Sequence, residues 1–89
     1  MNPDLNRRIR AVLAAHGKLA TDPNTLADGT DLYAAGLTSY TSVNVMLGLE
    51  DEFDLEFPDE LLTRHVFSSV LAIAAALLTV EPDLGRASA

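Results

Sequence analysis

The sequence predicts an all-α fold, a four-helix bundle with a short third helix and a long loop between the first two helices. Three observations carry this. Apolar residues recur at helical spacing in separate segments, each segment is opened by a capping residue or proline, and each is closed by a helix-breaking residue. At 89 residues the chain makes one small domain. A domain of this size buries only about 60 to 65% of its unfolded surface, which disfavours a deep catalytic cleft.

The first helix opens on Asn2, Pro3 and Asp4, a cap, a first-turn proline and a first-turn acid. Leu5, Ile9, Val12 and Leu13 then recur on one face to about His16, and Gly17 ends the helix. From Lys18 to Thr38 no period is sustained. Asp22-Pro23-Asn24 and Asp28-Gly29 signal turns, and a short turn is expected at Asp31 to Ala35. A loop this long in a compact domain is usually functional, and mobility here would give a modifying enzyme access. Leu19, Leu26, Leu32 and Tyr33 are its candidate anchors to the core.

The second helix begins at Thr38 or Ser39, either of which can accept from a free N–H of the first turn, and runs to about Phe53. Val45, Met46, Leu49 and Phe53 form one stripe; Tyr40, Val43 and Leu47 form an adjacent one. Together they span about 200° of the helix surface, against the roughly 100° that one core contact needs. Either neighbouring helices bury both stripes, or the second meets a partner or cargo. Pro58 opens a short third helix from Asp59 to about Arg64, with its acids where the macrodipole favours them. Ser68 or Ser69 caps the last helix, whose core face is Val70, Ile73, Ala74 and Leu77 and which ends at Glu81-Pro82. Residues 1–82 form the domain; the tail 83–89 is expected to fray.

Thirteen acidic residues against six basic give a net charge of −7. Glu50, Asp51, Glu52, Asp54, Glu56, Asp59 and Glu60 crowd one segment without a base. Such a segment repels phosphate, which argues against nucleic acid and toward a basic protein surface, with a solvated face as the plainer reading. Arg7, Arg8 and Arg10 with Lys18 make the first helix basic, by default also a solvated face. The apolar run from Val66 to Val80 falls short of the roughly 20 residues of a membrane span. No signal peptide is evident, so a cytoplasmic monomer is expected. The absence of cysteine excludes disulfides and thiolate chemistry. Asp51 to Leu62 fails as an EF-hand because Glu56 stands where the glycine belongs.

Ser39 is a nucleophile, a cap or an attachment point. Catalysis requires an adjacent base and an orienting group. His16 and His65, the only histidines, are expected at helix ends, and G-x-S-x-G is absent. An attached phosphodiester, by contrast, would sit at the positive end of the second helix.

The run DLYAAGLTSYTSVNVMLGLEDEFDLEFPDELL, residues 31–62, resembles the acyl and peptidyl carrier protein family. The family pattern is an acidic-leucine turn, Gly-x-Asp-Ser-Leu, an apolar helix ending in acids and Phe, then an acidic-Pro-acidic turn. The resemblance implies the acyl carrier bundle and no enzymatic activity. It implies a 4′-phosphopantetheine placed on Ser39 by a phosphopantetheinyl transferase, its thiol holding cargo as a thioester. Two departures stand out: Thr38 replaces the aspartate before the serine and Tyr40 the leucine after it. Thr41 and Asn44 occupy further positions that are often acidic. Acidity is thereby kept only at the end of the helix, which argues against service to ordinary fatty-acid synthesis enzymes. Residues 32–39 with Met46-Leu47-Gly48 are similar to the aminoacyl carrier proteins charged by ligases related to seryl-tRNA synthetase cores. Such a ligase and a downstream acceptor enzyme are the implied partners, meeting Thr38, Tyr40, Val43 and Leu47 flanked by Glu50 and Asp51. A carrier of fatty or polyketide chains, or an unmodified interaction module of the same fold, are the alternatives.

Overall fold

The computed structural model describes residues 2–85. They form three α-helices, α1 (Pro3–His16), α2 (Ser39–Phe53) and α3 (Val70–Val80), joined by short 3-10 turns, with no strand among the described residues. The α1 helix lies against both α2 and α3. Its apolar face supplies Leu5, Ile9, Val12 and Leu13 to a core completed by Val45, Leu49 and Phe53 of α2 and Val70, Ile73, Ala74 and Leu77 of α3.

Local chemistry sets each helix boundary. The Asn2 side chain accepts from Asp4 N–H at 2.8 Å to start α1, and Gly17 N–H closes it on Leu13 O. Gly17 itself has an ordinary backbone (φ −78°); the left-handed residue is Lys18 (φ 51°). At α3, Ser69 Oγ accepts from Ala72 N–H at 3.0 Å. The helices approach closely at Gly48, where a side-chain Cβ would lie 2.6 Å from His16 Cδ2 and 2.9 Å from Val12 Cγ1.

The expected third α-helix is one turn of 3-10 helix, Asp59–Leu61, closed by the Leu61 and Leu62 N–H groups on Pro58 O and Asp59 O. Six residues are too few to nucleate an isolated α-helix. Beyond it, Thr63 Oγ1 draws Val66 N–H at 3.4 Å and a separate turn follows, so local side-chain bonding competes with helix continuation. His65 therefore lies in a turn, not at a helix end. At the C-terminal side, Pro82–Gly85 forms a further 3-10 turn and Leu84 packs against the core, so this part of the expected tail is ordered into the domain. The remainder of that tail, residues 86–89, lies outside the described residues.

The long loop is tethered, and Arg10 is the reason the basic face of α1 is not simply solvated. Arg10 is 8% exposed. Its guanidinium donates to Leu26 O at 2.7 Å, to Asp28 Oδ1 at 2.6 Å, and to Pro23 O and Asn6 Oδ1. The Asn6 amide also donates to Asp28 Oδ1, at 2.7 Å. These two side chains, Asn6 first and then Arg10, hold the Asp28 carboxyl below its ordinary pKa. Arg8 pairs with Glu52 at 2.8 Å and stacks 4.3 Å from the Phe53 ring centroid, binding α1 to the end of α2. Backbone bonds complete the tethering: Leu71 N–H, a free donor of the first turn of α3, reaches Asp28 O at 2.9 Å, and Leu32 N–H reaches Ser68 O at 2.7 Å. Leu32 is fully buried, Leu37 nearly so, and Leu19, Leu26 and Tyr33 pack partly against the core.

Replacing Arg10 by Met strands the Pro23 and Leu26 carbonyls and removes one of the two side-chain partners of Asp28. Urea denaturation should show a loss of about 2 to 3 kcal/mol from the two loop carbonyls left without a donor, with nothing counted for the exposed Asp28. A loss below about 0.5 kcal/mol would mean that the tether contributes no more than a surface residue.

Candidate functional site

The approach to α2 is fixed by Gly36. Its φ of +118° is open to glycine and strained for other residues, and an added Cβ would lie 3.0 Å from Ala20 N. Ala20 N–H also donates to Ala35 O at 3.0 Å, so the two ends of the loop close on each other just before the helix. Leu37 then drops into the core and leaves Thr38 and Ser39 facing out.

Thr38 is the N-cap. Its Oγ1 accepts from Thr41 N–H at 3.0 Å while Thr41 Oγ1 accepts from Thr38 N–H at 2.9 Å, a capping box with threonine in the place usually held by Glu or Gln. Ser39 is consequently the first helical residue and has no capping duty. Its hydroxyl is exposed and makes no hydrogen bond among the described residues; only its carbonyl is engaged, by Ser42 Oγ at 2.9 Å. No histidine is hydrogen-bonded to it, so the base that a serine nucleophile needs is not in place. An exposed oxygen at the positive end of a 15-residue helix suits attachment of an anion.

The two stripes of α2 have different fates, a question their spacing left open. Val45, Leu49 and Phe53 are buried, whereas Tyr40 is 77%, Val43 51% and Leu47 53% exposed. Met46 departs from the core stripe: it is half-buried and lines a groove beside Ser39. Asp51 is exposed, but Glu50 is half-buried and structural, accepting from Phe57 N–H at 2.9 Å across the turn that follows α2. The groove has a volume of about 280 Å³ and runs from Ser39, Ser42 and Val43 to Leu62, Arg64 and Phe67, with Tyr33 along one wall. The place of Arg64 in this groove carried no sequence signal, because it meets Tyr33 only when the loop folds back. Among the described residues no His, Cys, Asp and Glu grouping could hold a metal ion, and no helix is long and apolar enough to cross a membrane.

A small all-helical domain that holds one free serine at the mouth of its second helix has the form of a carrier domain. The chain belongs to the phosphopantetheine attachment site family, whose model matches residues 7–77. It is 55% identical over 69 residues to the aminoacyl carrier protein of Agrobacterium fabrum, covering 78% of this chain and 83% of that one. It is 35% identical over 81 residues to aminoacyl carrier protein 1 of Bradyrhizobium diazoefficiens, covering 88% and 87%. A solved structure of an engineered Bradyrhizobium japonicum glycine:[carrier protein] ligase, complexed with carrier protein from Agrobacterium tumefaciens and ATP, contains a chain that superposes with a TM-score of 0.83. That match is 50% identical and covers 85% of this chain and 99% of the other. The Bradyrhizobium japonicum ligase complexed with its cognate carrier protein and an analogue of glycyl adenylate gives a TM-score of 0.74 at 35% identity, covering 85% and 97%.

Capping and attachment should separate by mutation. Thr38→Ala removes the cap and should lower stability by about 1 kcal/mol. Ser39→Ala should change it by less than about 0.5 kcal/mol, the range of surface substitutions. Thermal melts of the two variants compare them directly; equal losses would assign Ser39 a structural role.

Proposed function

We propose that this protein is a monomeric, non-catalytic cytoplasmic carrier that bears 4′-phosphopantetheine on Ser39 and holds a small aminoacyl group. The observation that carries the reading is the Ser39 hydroxyl, exposed and unbonded at the first position of α2 within a phosphopantetheine attachment domain. When bound, the arm supplies a flexible thiol that retains cargo as a thioester, as group carriers do. The chain's own residues position that arm. Thr38 and Thr41 fix the start of the helix, and Gly36 with Leu37 aims it at solvent.

The small amino acid follows from similarity to carriers found in complex with a glycine:[carrier protein] ligase. Glycine is therefore the first cargo to test. A seryl-tRNA-synthetase-like ligase would charge the thiol, a phosphopantetheinyl transferase would install the arm, and an acceptor enzyme would remove the cargo. We assign their shared docking face to Thr38, Tyr40, Val43 and Leu47, where three large apolar side chains stand exposed along one side of α2. Asp51 supplies charge at the far end. Glu50 contributes less directly, since its carboxylate already holds the Phe57 N–H.

After incubation with coenzyme A and a broad transferase, intact-mass measurement should show the gain of one phosphopantetheine. Ser39→Ala should show no gain; a variant still modified would place the arm elsewhere. Leu47→Ala should leave folding within about 0.5 kcal/mol of wild type while weakening ligase binding by about 1 to 2 kcal/mol, read by titration calorimetry. Lost stability with unchanged binding would return Leu47 to the core.

A further inference from the structure

Three of the five Lys and Arg side chains among the described residues are already paired with carboxylates. Among the described residues Arg7 pairs with Asp4, Arg8 with Glu52 and Arg10 with Asp28. Arg64, like Lys18, has no carboxylate partner among these residues. It instead lies over an aromatic face, its guanidinium carbon 3.8 Å from the centroid of the Tyr33 ring. Stacking of this kind restricts the side chain while leaving its in-plane N–H donors open. Both residues line the groove that begins at Ser39, and no acidic side chain lines it. Among the described residues the only formal charge in the groove wall is thus a restrained cation, in a chain whose net charge is −7.

We infer that Arg64, braced by Tyr33, is a binding residue for the phosphodiester on Ser39 and lays the adjoining part of the arm along the groove over Val43, Met46 and Phe67. This rests on Ser39 being the attachment site. A diester anion at Ser39 gains a forked donor that suits phosphate geometry, and the methyl-rich part of the arm gains an apolar wall in place of water. The thiol end extends beyond the groove and stays available to partners.

The test compares amide and phosphorus NMR spectra of the protein before and after the arm is installed, with intact mass confirming installation. In the wild type, installation should shift the amides of Leu62, Thr63, Arg64 and Phe67 as well as those around Ser39. Arg64→Gln should still gain the arm but lose the shifts at residues 62–67 and move the phosphorus resonance toward that of the diester in solution. Arg64→Lys, which keeps the charge without the stacked fork, should retain part of both effects. Arg64 is exposed and its side chain makes no hydrogen bond among the described residues, so circular dichroism spectra of both variants should match the wild type, with melts only slightly lower through the changed Tyr33 contact. Shifts confined to residues 38–42 in the wild type, or shifts at 62–67 that persist in Arg64→Gln, would overturn the assignment while leaving attachment intact. Absence of any mass gain in the wild type would overturn both.

Discussion

The guanidinium of Arg10 is the point from which the rest of the site is held. It donates at once to two loop carbonyls, to Asp28 and to Asn6, on the side of α1 that faces the loop. A connection as long as residues 17–38 would otherwise be ordered only by a few leucines, and its closure entropy opposes any single arrangement. Buried and hydrogen-bonded through both arms of its fork, Arg10 converts the loop into a fixed strap. Asp28 passes that constraint on, because its carbonyl takes the free Leu71 N–H at the start of α3. One charged side chain thereby couples α1, the loop and α3. The same strap places Tyr33 beside Arg64 and Gly36 before α2.

Division of labour between neighbouring hydroxyls is the second principle of the structure. A serine at the start of a helix normally serves as its cap, and a capped oxygen is occupied by backbone donors. Here the capping falls to Thr38 and the reciprocal bond to Thr41, so Ser39 sits one residue inside, unbonded and outward. Thr38 stands where the family pattern has an aspartate, and it supplies the cap without a negative charge. What is lost is the added attraction of an anion for the helix N-terminus. The acidity that remains lies at the other end of α2, where Glu52 is tied to Arg8 and Glu50 to the following turn. Much of the acidic block therefore has a structural occupation before it meets any partner.

The faces of α2 show how a small helical domain serves both stability and display. Its inner stripe is sealed against α1, and Gly48 permits the approach by omitting a side chain where His16 and Val12 press in. Its outer stripe is left with three large apolar side chains in solvent, which a folding requirement alone does not call for. Met46 belongs to neither stripe cleanly. It sits between them as part of the groove wall, a place that suits its unbranched, adaptable chain.

By itself the sequence determined the three long helices, the cap of the first and the two stripes of α2, and narrowed the other two caps to Thr38 or Ser39 and Ser68 or Ser69, because these depend on residues three and four apart and on side chains bonding their own backbone. Asn2 and the alternation of Val45, Leu49 and Phe53 with Tyr40, Val43 and Leu47 are local facts. It also singled out Ser39, through a glycine, a serine and an acidic-aromatic block in a fixed register. Only the tertiary structure decided that Arg10 is buried while Arg7 is not, that Glu50 caps a turn, and that Arg64 lies on Tyr33 beside the serine. It also decided that the segment after Pro58 makes a single 3-10 turn. Each of these depends on groups brought together from distant parts of the chain, or on a contest between short-range bonds too close to settle by spacing. Spacing specifies which face of a helix is apolar; the burial of a charge depends on what the rest of the chain offers it.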